Sequence, residues 1–224
     1  MTLLAKLIAP AGLALTALVA LPAHAQVEGR MATVDIAGTI LGTTAFQNAY
    51  SEVNRTYTQQ NDLRRTKAQE RQTLLATFDT NGNKQVDDAE LASKQGSADM
   101  TKLNTLEQEI QALTNQIDGA RVYAIEQLLV QYGPALQEVT TRDQIKMVID
   151  PGSLLFAPPE ADITQKVVAA LNAKVATVGV VPPTDWQPSR EGAQIYQEIQ
   201  QRLLIAQAQQ QQQAATPAPA PVGR

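Results

Sequence analysis

Seven apolar residues constrain this chain more than anything else in it. Leu103, Leu106, Ile110, Leu113, Ile117, Ala120 and Ala124 follow one another in alternating steps of three and four. That rhythm places them on one stripe of an α-helix, the a and d positions of a coiled-coil seam. A stripe so narrow packs against another helix at a shallow crossing angle. The partner lies upstream. From Thr43 to Thr77 the chain has neither proline nor glycine, and Phe46, Ala49, Val53 and Tyr57 keep helical spacing at its start. Between Gln59 and Gln72 the only apolar side chains are Leu63 and Ala68. A helix polar on every side projects into solvent or lines a wet space. The two segments therefore predict a long antiparallel helical hairpin, an arm over residues 44–142 whose outgoing helix alone reaches about 50 Å at ~1.5 Å per residue. Gly133-Pro134 is expected to break the returning helix.

The hairpin needs a base, and the flanking sequence supplies strand-like runs for one. Arg30 to Ile36 reads as a short strand and Gln144 to Asp150 as a second. Pro151-Gly152 turns the chain and Leu154-Leu155-Phe156 reads as a third, very short strand. Asp162 then caps a helix from Ile163 to Val175, with Ile163, Val167, Ala170, Leu171 and Val175 on one face. The fold class is α+β, mostly α: a coiled-coil arm on a small β-sheet base formed by residues 26–43 and 143–176. Three short strands close only a poor core. The sheet is therefore expected to be completed by oligomerisation, with Val34, Ile36, Val148 and Ile149 at the assembly surface. Residues 177–224 read as an extension. Pro182-Pro183 breaks it, Trp186 sits in a Pro-flanked loop, and Arg190 to Gln213 fits an amphipathic helix through Ile195, Ile199, Leu203 and Ala206. From Gln209 onward the Gln-rich and Ala-Pro sequence reads as a disordered tail that buries little.

The ends and the composition narrow the function. Lys6, an apolar run from Leu7 to Leu21 and Ala23-His24-Ala25 have the form of a cleaved secretory signal over residues 1–25, so a periplasmic location is expected. The chain has no cysteine, and its single histidine, His24, leaves with that signal. Nucleophiles activated by imidazole, and zinc sites, are then without their usual residues. Aromatics make up 4 % of the chain, little material for a shaped cleft, and no catalytic residue is assigned. Removing Lys6 leaves 17 basic against 22 acidic side chains, which argues against a nucleic-acid partner.

The order of these elements resembles the Skp/OmpH family of periplasmic chaperones over about Ala32 to Val175. The features that carry the likeness are a strand containing Val34-Asp35, the long polar hairpin, a strand ending Val148-Ile149-Asp150, and a helix beginning Asp162-Ile163-Thr164. The resemblance implies a homotrimer whose arms enclose a cavity, holding unfolded outer-membrane β-barrel proteins without ATP. Members are often strongly basic, whereas this chain is acidic, and contact with a membrane surface is left open.

One motif falls outside that likeness. Asp79, Asn81, Asn83, Asp87 and Glu90 occupy positions 1, 3, 5, 9 and 12 of an EF-hand calcium loop, with the Gln85 carbonyl at position 7. Leu75 and Phe78 precede the loop, Val86 sits at its eighth position and Leu91 follows it, the apolar sites where the helices of such a motif pack. Lys84 stands at position six, where the turn ordinarily takes glycine, and the same residues also suit a plain Asn/Gly-rich turn. No cofactor is required by this reading, but Ca2+ binding is a candidate, with a Kd around ~10⁻⁴ to 10⁻³ M. The rival to the chaperone is accordingly a calcium-responsive spacer whose coiled coil is a strut.

Overall fold

The computed structural model describes residues 29–215; the signal-like segment and the Ala-Pro tail from Thr216 lie outside the described residues. Strand β1 (Arg30–Thr33) is followed by helices α1 (Ile36–Gly42), α2 (Thr44–Thr56) and α3 (Thr58–Ala76). A short α4 (Asp88–Ser93) precedes the 45-residue α5 (Ala98–Arg142), then β2 (Ile145–Ile149), α6 (Thr164–Lys174) and α7 (Arg190–Ala215). The fold is mostly helical α+β: α3 and the first half of α5 form the hairpin, α4 lies at its far end, and the remaining elements gather at its foot.

Local chemistry explains the main departures from the sequence reading. β1 stops at Thr33 because Asp35 caps α1, its side chain accepting the Gly38 N–H at 2.9 Å. Ile36 is thus the first residue of a helix, not a strand residue. Gly133-Pro134 does not break α5, which runs through both to Arg142. Pro134 removes the bond to the Val130 carbonyl, but Gly133, Pro134 and Val130 all face solvent, where the loss is least felt.

Among the described residues the sheet has two strands rather than three. β1 pairs with β2 in parallel, Met31 opposite Met147 and Thr33 opposite Ile149. The place beside β1 is taken at Thr33, whose carbonyl accepts the Ile163 N–H at 2.9 Å in an isolated bridge to Asp162. Leu154 to Phe156 consequently forms no strand and leaves Leu155 and Phe156 exposed. Asp162 binds the Thr164 N–H at 2.8 Å, so α6 begins one residue later than expected.

The core at the foot is built from α1, α2, α5 and α6 around Ile40, Ile125, Leu128, Val139, Val167 and Leu171. Ile199 of α7 belongs to the same cluster and is 0 % exposed. The extension is therefore part of the folded body through α7. The polyglutamine run lies within α7 rather than in a disordered tail: Gln and Ala are good helix formers, and a packed first half supplies the nucleus. Among the described residues no helix is long and apolar enough to cross a membrane.

Candidate functional site

The arm is asymmetric. On α5, Leu103, Leu106, Ile117, Ala120 and Ala124 are buried and Ile110 and Leu113 half-buried. α3 opposite has no buried residue at all. Its side is tied across by Lys67 to Glu109 at 2.6 Å and Arg71 to Glu107 at 3.2 Å. Exposed pairs of this kind stabilise by only about 0–1 kcal/mol each. The arm thus has one greasy line and is otherwise a wetted rod.

At its far end the chain turns through the loop from Asp79 to Glu90. Asp79 accepts the N–H groups of Gly82 at 2.7 Å and Lys84 at 2.8 Å. Asn81 and Asn83 accept those of Asn83 and Gln85. Lys84 takes φ 63°, the left-handed conformation that position six of the motif calls for, and Gly82 takes φ 76°. Glu90 is buried and caps the turn: Oε1 accepts from the Thr80 N–H at 2.7 Å, its hydroxyl at 2.8 Å and the Asn81 N–H at 3.2 Å. Oε2 takes the Asp87 N–H, completing a capping box at α4. The hydrogen bonds from Thr80 hold the Glu90 carboxyl below its ordinary range. Among the described residues no three carboxylates, imidazoles or thiols are arranged to hold a metal ion. The expected calcium ligands share one loop, with their side-chain oxygens largely satisfied by its own backbone.

The base offers a different surface. Val34 is buried in the chain's own core, and Val148, half-buried, packs against it. Ile149 instead lines an open cavity of about 270 Å³ with Met31, Leu154, Phe156 and Pro158. Leu155 beside it is fully exposed and Phe156 is 82 % exposed. Below the strands Asp143 accepts from Arg142 at 2.9 Å and Lys166 at 2.6 Å, which pull its carboxyl down to about 2.

The root of the arm carries a polar network that the sequence did not announce. The Tyr196 hydroxyl donates to Asp118 at 2.6 Å, and Arg121 pairs with the same carboxylate at 3.0 Å. The Arg121 guanidinium stacks 4.8 Å from the centre of the Tyr50 ring. Burial, then the Asp118 carboxylate, push the Tyr196 hydroxyl far above its usual value. Arg202 pairs with Asp35 and, at 2.5 Å, with Glu198. Partial burial alone would raise the Asp35 carboxyl, but hydrogen bonds from Arg202 and the Gly38 N–H outweigh it and hold it below the ordinary range. Polar residues on helices read as solvated faces, and only a Tyr amid the Gln-rich stretch hinted at a partner here.

Comparison with known proteins gives one family. The model of the family described as outer membrane protein (OmpH-like) matches residues 30–171, more than half of the chain. No curated protein matches. A crystal structure of an OmpH-like outer membrane chaperone from Caulobacter crescentus CB15 is similar at 18 % identity. The match covers 76 % of this chain and 100 % of that one, with a TM-score of 0.43.

Proposed function

The chain belongs to the OmpH-like outer membrane protein family, and from that premise we propose that it is an ATP-independent periplasmic holdase for unfolded outer-membrane β-barrel proteins. The observation that carries this reading is the arm, which has one apolar line and is polar elsewhere. Several such arms standing on one base would enclose a wet space in which a client is kept from others of its kind without being gripped. Release would be passive, as the client folds elsewhere. A homotrimer is the assembly proposed, joined through the base, where Met31, Ile149, Leu155 and Phe156 present apolar surface that a lone chain leaves in water. No chemical step is proposed, and the protein acts as a chaperone rather than an enzyme. The test is dilution of a urea-denatured outer-membrane β-barrel protein into buffer with and without this protein, followed by light scattering. Suppression at near-equimolar trimer supports the holdase. Unchanged aggregation refutes it.

A second reading has one observation in its favour: Lys84 adopts the left-handed turn of an EF-hand loop despite its side chain. In that reading Asp79, Asn81, Asn83, Asp87 and Glu90 would offer side-chain oxygens to Ca2+, the Gln85 carbonyl joining them, and the protein would be a calcium-responsive spacer. Titration calorimetry with millimolar calcium on the wild type and on Glu90→Gln separates the two. Heat in the first alone supports the spacer; none in either removes it.

A further inference from the structure

We propose that Val175 to Ala215, lying beyond the family match, is a splint that welds the lower part of the arm to the base and moves the arm's bending point up to Tyr57. The segment first crosses the outside of α5. Gln127 and Gly179 exchange two hydrogen bonds, each 2.9 Å, as paired strands would. Trp186 then lies edge-on to Tyr123 at 5.5 Å and donates its indole N–H to Glu126 at 2.8 Å. The other oxygen of Glu126 takes the Ser189 N–H. α7 starts tight against this point, since a Cβ on Gly192 would fall 2.7 Å from Glu126. It continues through Tyr196 on Asp118, Ile199 in the core and Arg202 on Asp35.

What the splint covers defines where the arm is stiff. Val180 completes a second apolar cluster with Ala49, Val53 and Tyr57 of the outgoing chain and Ile117, Ala120 and Ala124 of α5. The Tyr57 hydroxyl donates to the Val180 carbonyl at 3.4 Å. At that same residue the backbone leaves helical geometry, φ −104° and ψ 27°, and separates α2 from α3. Above it the character changes at once. Gln60 carries a buried Oε1 without a hydrogen-bond partner among the described residues, and no residue of α3 is fully buried. Below Tyr57 the helices share an aliphatic core bolted from outside; just above it they share a seam only half-buried at Ile110 and Leu113, with ion pairs beside it, and side chains are covered again only toward the tip, at Leu106, Leu103 and Phe78. Stiffness follows buried apolar contact and backbone protection, so α3 pivots at Tyr57 while the continuous α5 flexes beside it. How a client enters then depends on the free arm beyond Tyr57; that consequence rests on the holdase reading, whereas the splint does not.

Hydrogen exchange on the full-length protein tests this. The wild type is expected to show a step at Tyr57, with amides of 44–57 and 117–128 exchanging about a hundredfold slower or more than those of 58–76. Val180→Asp, which places a charge in the second cluster, is expected to speed exchange in 44–57 and 117–128 by about tenfold or more, with β1, β2 and α6 unchanged. Should Val180→Asp unfold the whole chain, Trp186→Ala decides, with the same local loosening expected. A smooth gradient in the wild type without a step, or unaltered protection of 44–57 in the deciding variant, overturns the proposal. Aggregation suppression by the wild type, run beside it, tests the holdase alone, so either reading can fail without the other.

Discussion

Ile199→Ala is the sharpest test of where the body of this protein ends. Ile199 stands on α7, beyond the family match, and is wholly buried in the main cluster with Ile40, Ile125 and Leu128. The substitution removes three carbons, roughly 2.4 kcal/mol of transfer free energy at ~0.8 kcal/mol each. The hole left among rigid helices adds to this, giving an expected loss of about 3–4 kcal/mol, inside the ~2–5 kcal/mol range of such truncations. The control is Ile205→Ala on the same helix, where the side chain is 58 % exposed and the loss should stay under about 0.5 kcal/mol. Urea unfolding followed by circular dichroism, at one protein concentration because assembly adds to stability, reads both. With a slope of about 2 kcal/mol/M, the midpoint of Ile199→Ala should fall by about 1.5–2 M. Equal midpoints for the two variants would mean that α7 is not part of the folded body, and the reasoning would fail.

Ile149→Asp should convert the assembled protein to smaller species in light scattering by burying an unpaired charge at the joined bases; an unaltered mass would place the interface elsewhere. Asp143 has its carboxyl held down to about 2 by Arg142 and Lys166. The unfolded chain takes up the proton first, so the stability this group contributes is full above about pH 4 and is lost as pH falls toward 2. Asp143→Asn should flatten that acid limb of the stability profile, and an identical limb would rule the pair out as its source. Glu90→Gln should loosen the arm tip, seen as faster proteolysis within residues 77–96, because a neutral amide is a poorer acceptor for the Thr80 and Asn81 donors. Unchanged cleavage would show that the carboxylate is not what closes the loop.

The hairpin was legible because its signal is periodic and local. A heptad stripe names its own partner geometry, and a polar run without glycine or proline has few alternatives to a projecting helix. The base was legible only in outline. Leu154 to Phe156 has the composition of a strand, but a strand exists only beside a neighbour, and the edge at Thr33 was already occupied by Asp162 and Ile163. Ile36 was misread because apolar spacing cannot reveal that Asp35 would cap a helix there. The root network escaped for a deeper reason. Asp118, Arg121 and Glu126 are ordinary solvated residues of a long helix until Tyr196 and Trp186 arrive from some sixty or more positions away. The amphipathic spacing from Arg190 was legible as a helix, but nothing in it named the surface that the helix covers. Ile199 on its apolar face turned out to enter the main core.

The parallel pairing of β1 with β2 fixes the order in which this molecule can be made. Arg30 reaches the Asp143 carbonyl across 113 residues, the full length of the hairpin. For a flexible chain such a closure is slow, since its entropic cost grows with the logarithm of the span and non-local pairings are rewarded last. The helices between need no such wait, because each forms from near neighbours. As the arm zips, its two feet are drawn together and the long loop shrinks to a short one. β1 is the first described element in chain order and the last to find its mate, its backbone groups unpaired for all that time. A protein proposed to shelter unpaired strands of others must first pass through the same hazard itself, and its own arm is what shortens the exposure.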